Sequence, residues 1–400
     1  MGPGNRNPAM PASMSSCVCA SVLLTTLFSP GCAGAGGSNS QPVERAAPQP
    51  AAAGAPQATA APFKVVHELD KTILHVFQDS RGTYWFGSQS NGFYRWRGHG
   101  NTFDHFTTES GLRDNDVSRF QEDRYGNLYI NTGQGISKFD GRAITNLSLD
   151  ESQPVVTEWK LGPDDLWFRF GGDDPHAIFY DGTSLRKLRV PRTAEGDAFE
   201  AKLPRSKYPN RTYSPYDGYS IYKDSRGNVW FGTASLGACR FDGKNFAWIS
   251  EQELGFDEKD NRTFGTRSMI EDRDGKFWIT VTRYQFDMYP ADAEAATRST
   301  GGLVYTKSPG LAHAQQGVDE DYTYIMSMAR DKAGDTWMAT YGAGVWRHDG
   351  TKLTHYPVMV DGNPITVFSV YCDREGALWL GTHEHGVCKF NGTAFEKVKF

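Results

Sequence analysis

The sequence has little of what would mark a disulfide-stabilised domain. Six of its 400 residues are cysteines, and three of these lie after residue 62: Cys239, Cys372 and Cys388. One strand is expected to separate Cys372 from Cys388 by about 9–10 Å, which exceeds the reach of a disulfide. Folding is therefore expected to depend on a hydrophobic core rather than on disulfides.

The charge pattern and the absent motifs exclude further classes. Lys and Arg total 42 and Asp and Glu total 47, which gives a formal net charge of −5, and the basic residues are scattered. The sequence therefore gives no indication of a nucleic acid partner, because it has no cluster of basic residues. The sequence also lacks a Gly-x-Ser-x-Gly motif, a zinc-protease helix motif and a paired-cysteine motif, so it carries none of these catalytic or metal-binding signatures.

Glycine (43 residues) and aromatic residues (13%) are abundant, and they occur in a repeated pattern. Six segments read Asp-x-x-Gly-x-x-aromatic: 79–85, 123–129, 224–230, 272–278, 331–337 and 373–379. A seventh, degenerate copy ends at Trp167. Self-similarity at this period is typical of repeat architectures.

Each copy predicts a turn followed by a strand. The Asp carboxylate can bond back to the backbone and the Gly accepts a left-handed conformation, while the aromatic residue begins an apolar strand. A second signal, Asp-Gly or Asn-Gly, follows at 140–141, 181–182, 242–243, 349–350 and 391–392. It predicts a hairpin with a type I′ turn, in which both central residues have positive φ.

These signals predict an all-β fold: a seven-bladed β-propeller of four-stranded antiparallel blades over residues 63–400. A lone meander of this size cannot bury both faces, so the units are expected to stack radially. The aromatic anchors lie at positions 85, 129, 167, 230, 278, 337 and 379. The strand near 74–78 is expected to lie against the last blade, residues 63–69 to add an outer strand, and the copy at Trp167 to be the weakest part of the count.

The pattern Asp-x-x-Gly-x-x-Trp-x-Gly-Thr, followed by Arg/Lys-Phe-Asp-Gly, resembles the two-component regulator propeller repeat over about residues 70–400. In that family such repeats usually form the periplasmic sensor half of membrane histidine kinases. The resemblance implies a sensor propeller, and we expect a stand-alone, lipoprotein-like form without a kinase part. It specifies fold more than function, because propellers host many unrelated activities.

Residues 1–32 are expected to be a signal peptide that ends at a lipobox-like Cys32. The apolar run at 17–28 is too short to span a bilayer comfortably and is typical of an export signal. Residues 33–62 are nearly all Ala, Gly, Pro, Ser and Gln, which predicts a disordered tether. The expected location is the bacterial cell envelope, as an outer-membrane lipoprotein or a periplasmic or secreted protein, with membrane contact only through a lipid anchor.

In a propeller, the loops that follow the anchor strands lie on one face and converge on the axis. Polar and aromatic residues there predict a site for a polar small molecule, a glycan or an envelope protein, held by hydrogen bonds and ring stacking. The candidates are Gln89, Gln134, Arg169, Arg283, Tyr284, Tyr341 and His383. The alternative is that each is an ordinary solvated loop residue. No cofactor is expected.

His383, Glu384 and His385 form the most suggestive local cluster. In extended backbone, residues two apart point to one side, so both imidazoles could meet one metal ion. No third ligand is identifiable from the sequence, and ordinary pocket histidines are the preferred interpretation. The alternative function is a metal-dependent lyase similar to the virginiamycin B lyase type, also a seven-bladed propeller, with these three residues as catalytic candidates. We prefer non-catalytic recognition.

Overall fold

The computed structural model describes residues 61–211, 214–256, 265–311 and 325–400. The predicted signal peptide, Cys32 and all but the last two residues of the predicted tether lie outside this part of the chain. The described residues are mostly β-strands, so the predicted all-β class is confirmed. None of their helices is long and apolar enough to cross a bilayer.

The strands fall into successive units that we number along the chain. Unit 1 comprises β1 (Lys64–Val66), β2 (Ile73–Gln78), β3 (Tyr84–Ser88), β4 (Phe93–Trp96) and β5 (Phe103–Phe106). Unit 2 comprises β6 (Val117–Glu122), β7 (Leu128–Thr132), β8 (Gly135–Phe139) and β9 (Ile144–Leu147). Unit 3 comprises β10 (Leu166–Gly171), β11 (His176–Tyr180) and β12 (Leu185–Arg189). Unit 4 comprises β13 (Gly218–Lys223), β14 (Val229–Thr233), β15 (Ala238–Phe241) and β16 (Phe246–Ile249).

The remaining units follow the same plan. Unit 5 comprises β17 (Met269–Glu271), β18 (Phe277–Ile279), β19 (Tyr284–Asp287), β20 (Thr297–Arg298) and β21 (Val304–Pro309). Unit 6 comprises β22 (Ile325–Arg330), β23 (Thr336–Thr340), β24 (Val345–His348) and β25 (Leu353–Tyr356). A small hairpin, β26 (Met359–Val360) and β27 (Asn363–Pro364), precedes unit 7, which comprises β28 (Val367–Cys372), β29 (Leu378–Thr382), β30 (Val387–Phe390) and β31 (Phe395–Lys397). The helices within the described residues are α1 (Ala194–Lys202), α2 (Glu251–Leu254) and a 3₁₀ turn at Thr108–Ser110.

Within each unit, consecutive strands pair antiparallel, as predicted, with a few local additions. Strand β1 adds to the outer edge of unit 1 by pairing with β5, which agrees with the outer strand expected at residues 63–69. In unit 5, β21 is the fourth strand and pairs with β19, and the two-residue β20 adds to its outer edge. Unit 3 has three strands in the described part of the chain, so the degenerate copy is where the four-stranded plan fails.

The first and last units are in contact, as predicted. Ile73 of β2 bridges to Thr382 of β29. The terminal ring of Phe400 packs against Trp96 and Phe103 of unit 1, with ring centroids 4.9 and 4.8 Å apart. The apolar cores lie between neighbouring units, for example between units 3 and 4 around Trp167 and Phe231.

The Asp of each repeat holds both its turn and its anchor residue. In unit 4, Oδ1 of Asp224 accepts hydrogen bonds from the backbone N–H groups of Arg226 (3.0 Å) and Asn228 (2.8 Å). Its Oδ2 accepts from the Trp230 indole at 2.8 Å. The same pair of contacts recurs in units 1, 5, 6 and 7, and the Tyr129 hydroxyl replaces the indole in unit 2. The Asp and the aromatic anchor recur six positions apart because one carboxylate bonds both to the turn and to the anchor side chain.

The Asp-Gly hairpins form, but the predicted type I′ turn is wrong. Phe139 pairs with Ile144, so four residues separate β8 from β9. Oδ1 of Asp140 accepts from the N–H groups of Arg142 (2.8 Å) and Ala143 (2.7 Å). Gly141 has φ 93°, whereas the described non-glycine residues with positive φ are Thr282 and Asp361. The Asp side chain therefore closes the turn in place of a second left-handed residue.

Candidate functional site

The first strands of five units share a one-residue register shift near their N-terminal ends. The shift leaves one residue of each strand outside the regular pairing. These residues are Leu74, Ser118, Tyr219, Met326 and Phe368. Leu74, Met326 and Phe368 pack together as a small buried cluster, so the first strands of units 1, 6 and 7 converge there.

Two of the sequence-predicted site residues lie over this cluster. The Tyr341 ring meets the Phe368 ring edge-on at 6.2 Å, and the His383 ring lies 5.9 Å from the same ring. Tyr341 is 45% exposed whereas Phe368 is 6% exposed. We call Leu74, Met326, Phe368, Tyr341 and His383 the axial surface. It combines an exposed aromatic ring, an imidazole and an apolar floor.

A second aromatic and cationic pair occupies the equivalent positions in units 4 and 5. The Arg267 guanidinium lies 4.3 Å from the centre of the Tyr219 ring, and both side chains are half-buried. Arg267 corresponds to Tyr219 because Met269 and Ile221 each pair with the residue that follows the anchor Trp. The pair presents a cation and a π face, which suit a polar ligand with ring-like apolar faces.

Two hydrogen bonds that involve Thr72 place Gln89 beside the axial surface. The Gln89 N–H donates to the Thr72 carbonyl at 3.4 Å, and the Thr72 hydroxyl donates to the His383 carbonyl at 2.7 Å. The structure therefore brings together Gln89, Tyr341 and His383 from the predicted set.

The structure does not group the other four candidates with these residues. Gln134 is exposed, and its carbonyl accepts from Arg113 Nε at 2.9 Å. Arg169 is exposed in β10 rather than in a loop. Tyr284 begins β19, also a strand, and its ring packs against Lys307 Nζ at 4.2 Å, with Arg283 just before it. Motif spacing misplaces the loops of units 3 and 5 because these units depart most from the repeat, and a binding role for the four residues stays a prediction.

The extended geometry expected for His383, Glu384 and His385 is wrong. The Thr382 hydroxyl donates to the Gly386 carbonyl at 2.8 Å and accepts from the His385 N–H at 3.0 Å, which closes a tight turn. Thr233 and Thr340 bond in the same way to Gly237 and Gly344, so the turn is a feature of the repeat. In the part of the chain that the structure describes, no three His, Cys, Asp or Glu side chains are grouped as metal ligands would be.

Buried polar side chains join the first strands below the axial surface. Ser369 Oγ donates to the Leu74 carbonyl at 2.6 Å, and Ser220 Oγ donates to the Thr266 carbonyl at 2.8 Å. Units 1 and 2 carry His75 and Arg119 at the same register position. Burial, with a further contribution from the Arg119 charge, lowers the pKa of His75 to about 3, so His75 is neutral at neutral pH.

The Arg119 side chain extends into the space left by the missing first strand of unit 3. Arg119 Nη2 donates to the Ile221 carbonyl in unit 4 at 3.2 Å and so reaches past unit 3. Burial lowers the pKa of Arg119 to about 10. Gln121 Nε2 donates to the Trp167 carbonyl at 3.0 Å, a group that a first strand would otherwise face. Side chains of unit 2 thus replace part of the missing strand.

Sequence reasoning missed Tyr219, Arg267 and Phe368. A signal was available, because each precedes a serine at or just before the first strand of its unit: Ser220, Ser268 and Ser369. Ser220 and Ser369 bond to carbonyls of the next unit. Tyr219 and Phe368 are displaced by the register shift, and Arg267 lies just before its strand.

Together, the stacked antiparallel units and the repeated turn chemistry define a β-propeller protein. Residues 219–235 and 360–384 match the family model described as two component regulator propeller, so the predicted resemblance is confirmed at these two segments. No curated protein matches the chain in sequence.

Several solved structures share the fold at low identity. The extracellular domain of a hybrid two component system from B. thetaiotaomicron matches with TM-score 0.54 and 22% identity over 81% of this chain, and the match covers 39% of that chain. A streptogramin B lyase matches with TM-score 0.54 and 14% identity over 84% of this chain and 98% of that chain. Virginiamycin B lyase from Staphylococcus aureus matches with TM-score 0.54 and 14% identity over 82% and 99%. These similarities establish the propeller fold, and this chain spans about 39% of the two-component structure.

Proposed function

We propose that this chain is a cell-envelope recognition or sensor propeller that binds a polar ligand, such as a carbohydrate, or a protein partner on its axial surface without catalysing a reaction. The observation that carries the proposal is the placement of Tyr341, 45% exposed, over buried Phe368 and beside His383. An exposed ring held by a rigid floor offers stacking area at low entropic cost.

The proposal includes seven blades in a closed ring, one per unit. Its support is the contact between the two ends of the chain: the Tyr84 hydroxyl of unit 1 donates to Asp373 Oδ2 of unit 7 at 2.8 Å, and the Tyr84 ring packs on Trp379 at 5.1 Å. Unit 3 is then a blade whose first strand is absent.

The proposed location rests on the sequence. An export signal, Cys32 and an Ala/Gly/Pro-rich tether are the features of an envelope lipoprotein. Cys32→Ala in the full chain should move the protein from the membrane fraction to the soluble fraction, because one acyl-modified cysteine is the proposed anchor. Unchanged membrane association, with no lipid label on the wild type, would refute this part.

A glycan array with the purified full chain tests recognition directly. Tyr341→Ala should weaken binding of any ligand found by about 1–3 kcal/mol, because stacking and hydrogen bonding are lost. Tyr125→Ala is the matched control, since Tyr125 is 57% exposed in the Asp-x-x-Gly turn of unit 2, at the opposite ends of the strands. Equal losses in the two variants would contradict the proposed site.

The lyase alternative rests on the shared fold and on His383, Glu384 and His385. It predicts turnover of a streptogramin B compound such as virginiamycin B, lost on chelation and in His383→Ala. Ligand binding without turnover in the wild type would leave the recognition function standing.

A further inference from the structure

A cavity of about 290 Å³ opens between units 1 and 2, at the end of the strands opposite the axial surface. The Asp-x-x-Gly turn of unit 1 and the Asp-Gly turn of unit 2 border it through Arg81 and Gly141. Trp85 and Phe139 contribute apolar wall, and Arg95 and Arg97 also line the cavity. The site is therefore remote from the surface to which the proposed function refers.

Two of the three arginines have hydrogen-bonding capacity left. Arg95 is satisfied, since its Nε and Nη2 both lie 2.7 Å from Asp104 Oδ2. Arg81 Nη2 makes a long contact of 3.5 Å to the Tyr125 carbonyl, and Arg81 forms no ion pair within the described residues. Arg97 is exposed and forms neither a hydrogen bond nor an ion pair with any described residue. A guanidinium carries five N–H donors, so the cavity has more donors than acceptors.

The two carboxylates that line the cavity are already engaged. Glu122 accepts from the Ser80 N–H and the Ser80 hydroxyl, each at 2.7 Å. Asp79 accepts from the N–H groups of its own turn and from the Trp85 indole at 3.0 Å. Both carboxylates accept from neutral donors and keep their negative charge, and the Arg81 charge acts on Glu122. Within the described residues, however, neither carboxylate forms an ion pair with Arg81 or Arg97, so the N–H donors of these two arginines remain available to a ligand.

One equivalent cleft elsewhere in the molecule is filled by a side chain of the protein itself. Between units 4 and 5, the Tyr289 ring lies 3.9 Å from the guanidinium of Arg226, the counterpart of Arg81. The Tyr289 ring also lies 5.6 Å from the guanidinium of Arg240, the counterpart of Arg95. Tyr289 thus occupies that cleft.

In unit 6, a carboxylate pairs with the arginine that is equivalent to Arg95. Arg347, also a counterpart of Arg95, donates through Nε to Asp335 Oδ2 at 2.8 Å. Asp335 stands four residues after the turn Asp, where unit 1 has Thr83. Unit 1 pairs Arg95 with Asp104 instead, so the cleft between units 1 and 2 has no ring in the place of Tyr289 and no acid at position 83.

We propose that this cavity binds a compact oxyanion, a carboxylate, sulfate or phosphate group, through Arg81 and Arg97. Planar guanidinium groups bind such anions in bidentate fashion, and both arginines are exposed and therefore accessible to a ligand. The chain enters the fold next to this cavity, because the Ala61 N–H donates at 2.7 Å to the carbonyl of Arg142, beside Gly141. Two sources of the anion follow from that position: a soluble small molecule, or the headgroup of an anionic lipid near the anchor.

The test measures binding of the purified full chain to defined probes at constant ionic strength. The soluble probes are inorganic phosphate and glucuronate, measured by calorimetry. The membrane probes are vesicles of phosphatidylglycerol with phosphatidylcholine and of phosphatidylcholine alone. Arg97→Ala should weaken binding about tenfold, the loss typical of one charge-assisted hydrogen bond, and Arg97→Lys should weaken it less. Thr83→Asp should abolish binding, because Thr83 lines the cavity and a carboxylate there repels the anion.

Lys244→Ala is the matched control, since it removes one positive charge from the Asp-Gly turn of unit 4 on the same side of the molecule. Binding of a soluble probe that falls in Arg97→Ala and Thr83→Asp but not in Lys244→Ala supports the site with a soluble ligand. Binding seen only with phosphatidylglycerol vesicles, and lost in the same two variants, supports a headgroup. No binding to any probe, or equal binding by all variants while the thermal midpoint is unchanged, overturns the proposal.

Discussion

The two ends of the units differ in how strictly they repeat. At the turn end, an Asp carboxylate joins the turn to an aromatic side chain in six units, with nearly the same distances each time. At the axial end, equivalent positions hold side chains as different as Leu74, Tyr219, Arg267 and Phe368. The repeated contacts fix the strands, and the varied side chains occupy a shared scaffold. Stability is therefore expected to reside at the turn end and recognition at the axial end.

Unit 3 shows what happens when the turn contact is lost. Leu161 stands where the other units have Asp, and the buried Trp167 indole N–H has no hydrogen-bond partner. Asp165 accepts instead from the Trp159 indole at 2.9 Å. The chain before it runs along the outer strand, where the Val156 N–H donates to the Lys187 carbonyl at 2.9 Å. Loss of the Asp thus accompanies loss of the first strand.

The largest effect should come from removing an anchor. Trp230 is fully buried between units 4 and 5, so Trp230→Ala should destabilise the fold by about 3–5 kcal/mol through the cavity it leaves. Denaturant unfolding measures the loss. A loss under about 1 kcal/mol would mean that the anchors do not hold the units.

A matched pair of substitutions isolates the Asp contact from the loss of ring volume. Trp230→Phe should cost about 2 kcal/mol more than Trp167→Phe, because the first removes a hydrogen bond to a carboxylate and the second removes an unpaired donor. Equal costs in urea unfolding would show that the indole bond contributes nothing.

The replacement of the missing strand should be measurable at Gln121. Gln121→Ala leaves the buried Trp167 carbonyl without its partner and should cost about 1–2 kcal/mol. Gln78→Ala is a useful comparison, since Gln78 Oε1 accepts from the Arg374 N–H between units 7 and 1, where the first strand is present. A neutral Gln121→Ala would indicate that water satisfies the carbonyl.

His75 should make stability depend on pH. Its pKa is about 3 in the folded protein against 6.5 for a free side chain, so the unfolded chain binds more protons between these values. The contribution of His75 to the free energy of unfolding is fully present above pH 6.5. It is lost as the pH drops towards 3, by up to about 1.4 kcal/mol per pH unit. His75→Ser, which restores the serine found in other units, should flatten this slope. An identical slope in the variant would place the titration elsewhere.

Sequence reasoning succeeded where local chemistry repeats. The Asp-x-x-Gly turns, the antiparallel pairing and the contact between the first and last units follow from residues a few positions apart, as at Asp224 and Trp230. It failed at the Asp140 turn, because whether a side chain or the backbone closes a turn depends on loop length. It failed at Arg169 and Tyr284 because units 3 and 5 have lost the spacing that locates their loops.

The axial surface was predictable only in part for a related reason. Tyr341 and His383 follow regular anchor strands, and the structure brings them together over Phe368, while their binding of a ligand stays a prediction. Phe368 and Arg267 reach the axial end through a register shift or a position just before a strand, and neither can be read from an apolar pattern alone. The unmatched donors of Arg81 and Arg97 depend on which side chains neighbouring units supply, which is information that a single repeat does not contain.

One measurement tests the separation of the two ends most directly: affinity and thermal midpoint determined side by side for Tyr341→Ala and Trp230→Phe, with the ligand identified on the array. Tyr341→Ala should lose about 1–3 kcal/mol of binding with an unchanged midpoint, and Trp230→Phe should lower the midpoint while its folded fraction binds as the wild type does. Retained affinity in Tyr341→Ala, or lost affinity in folded Trp230→Phe, would contradict the assignment of recognition to the axial surface.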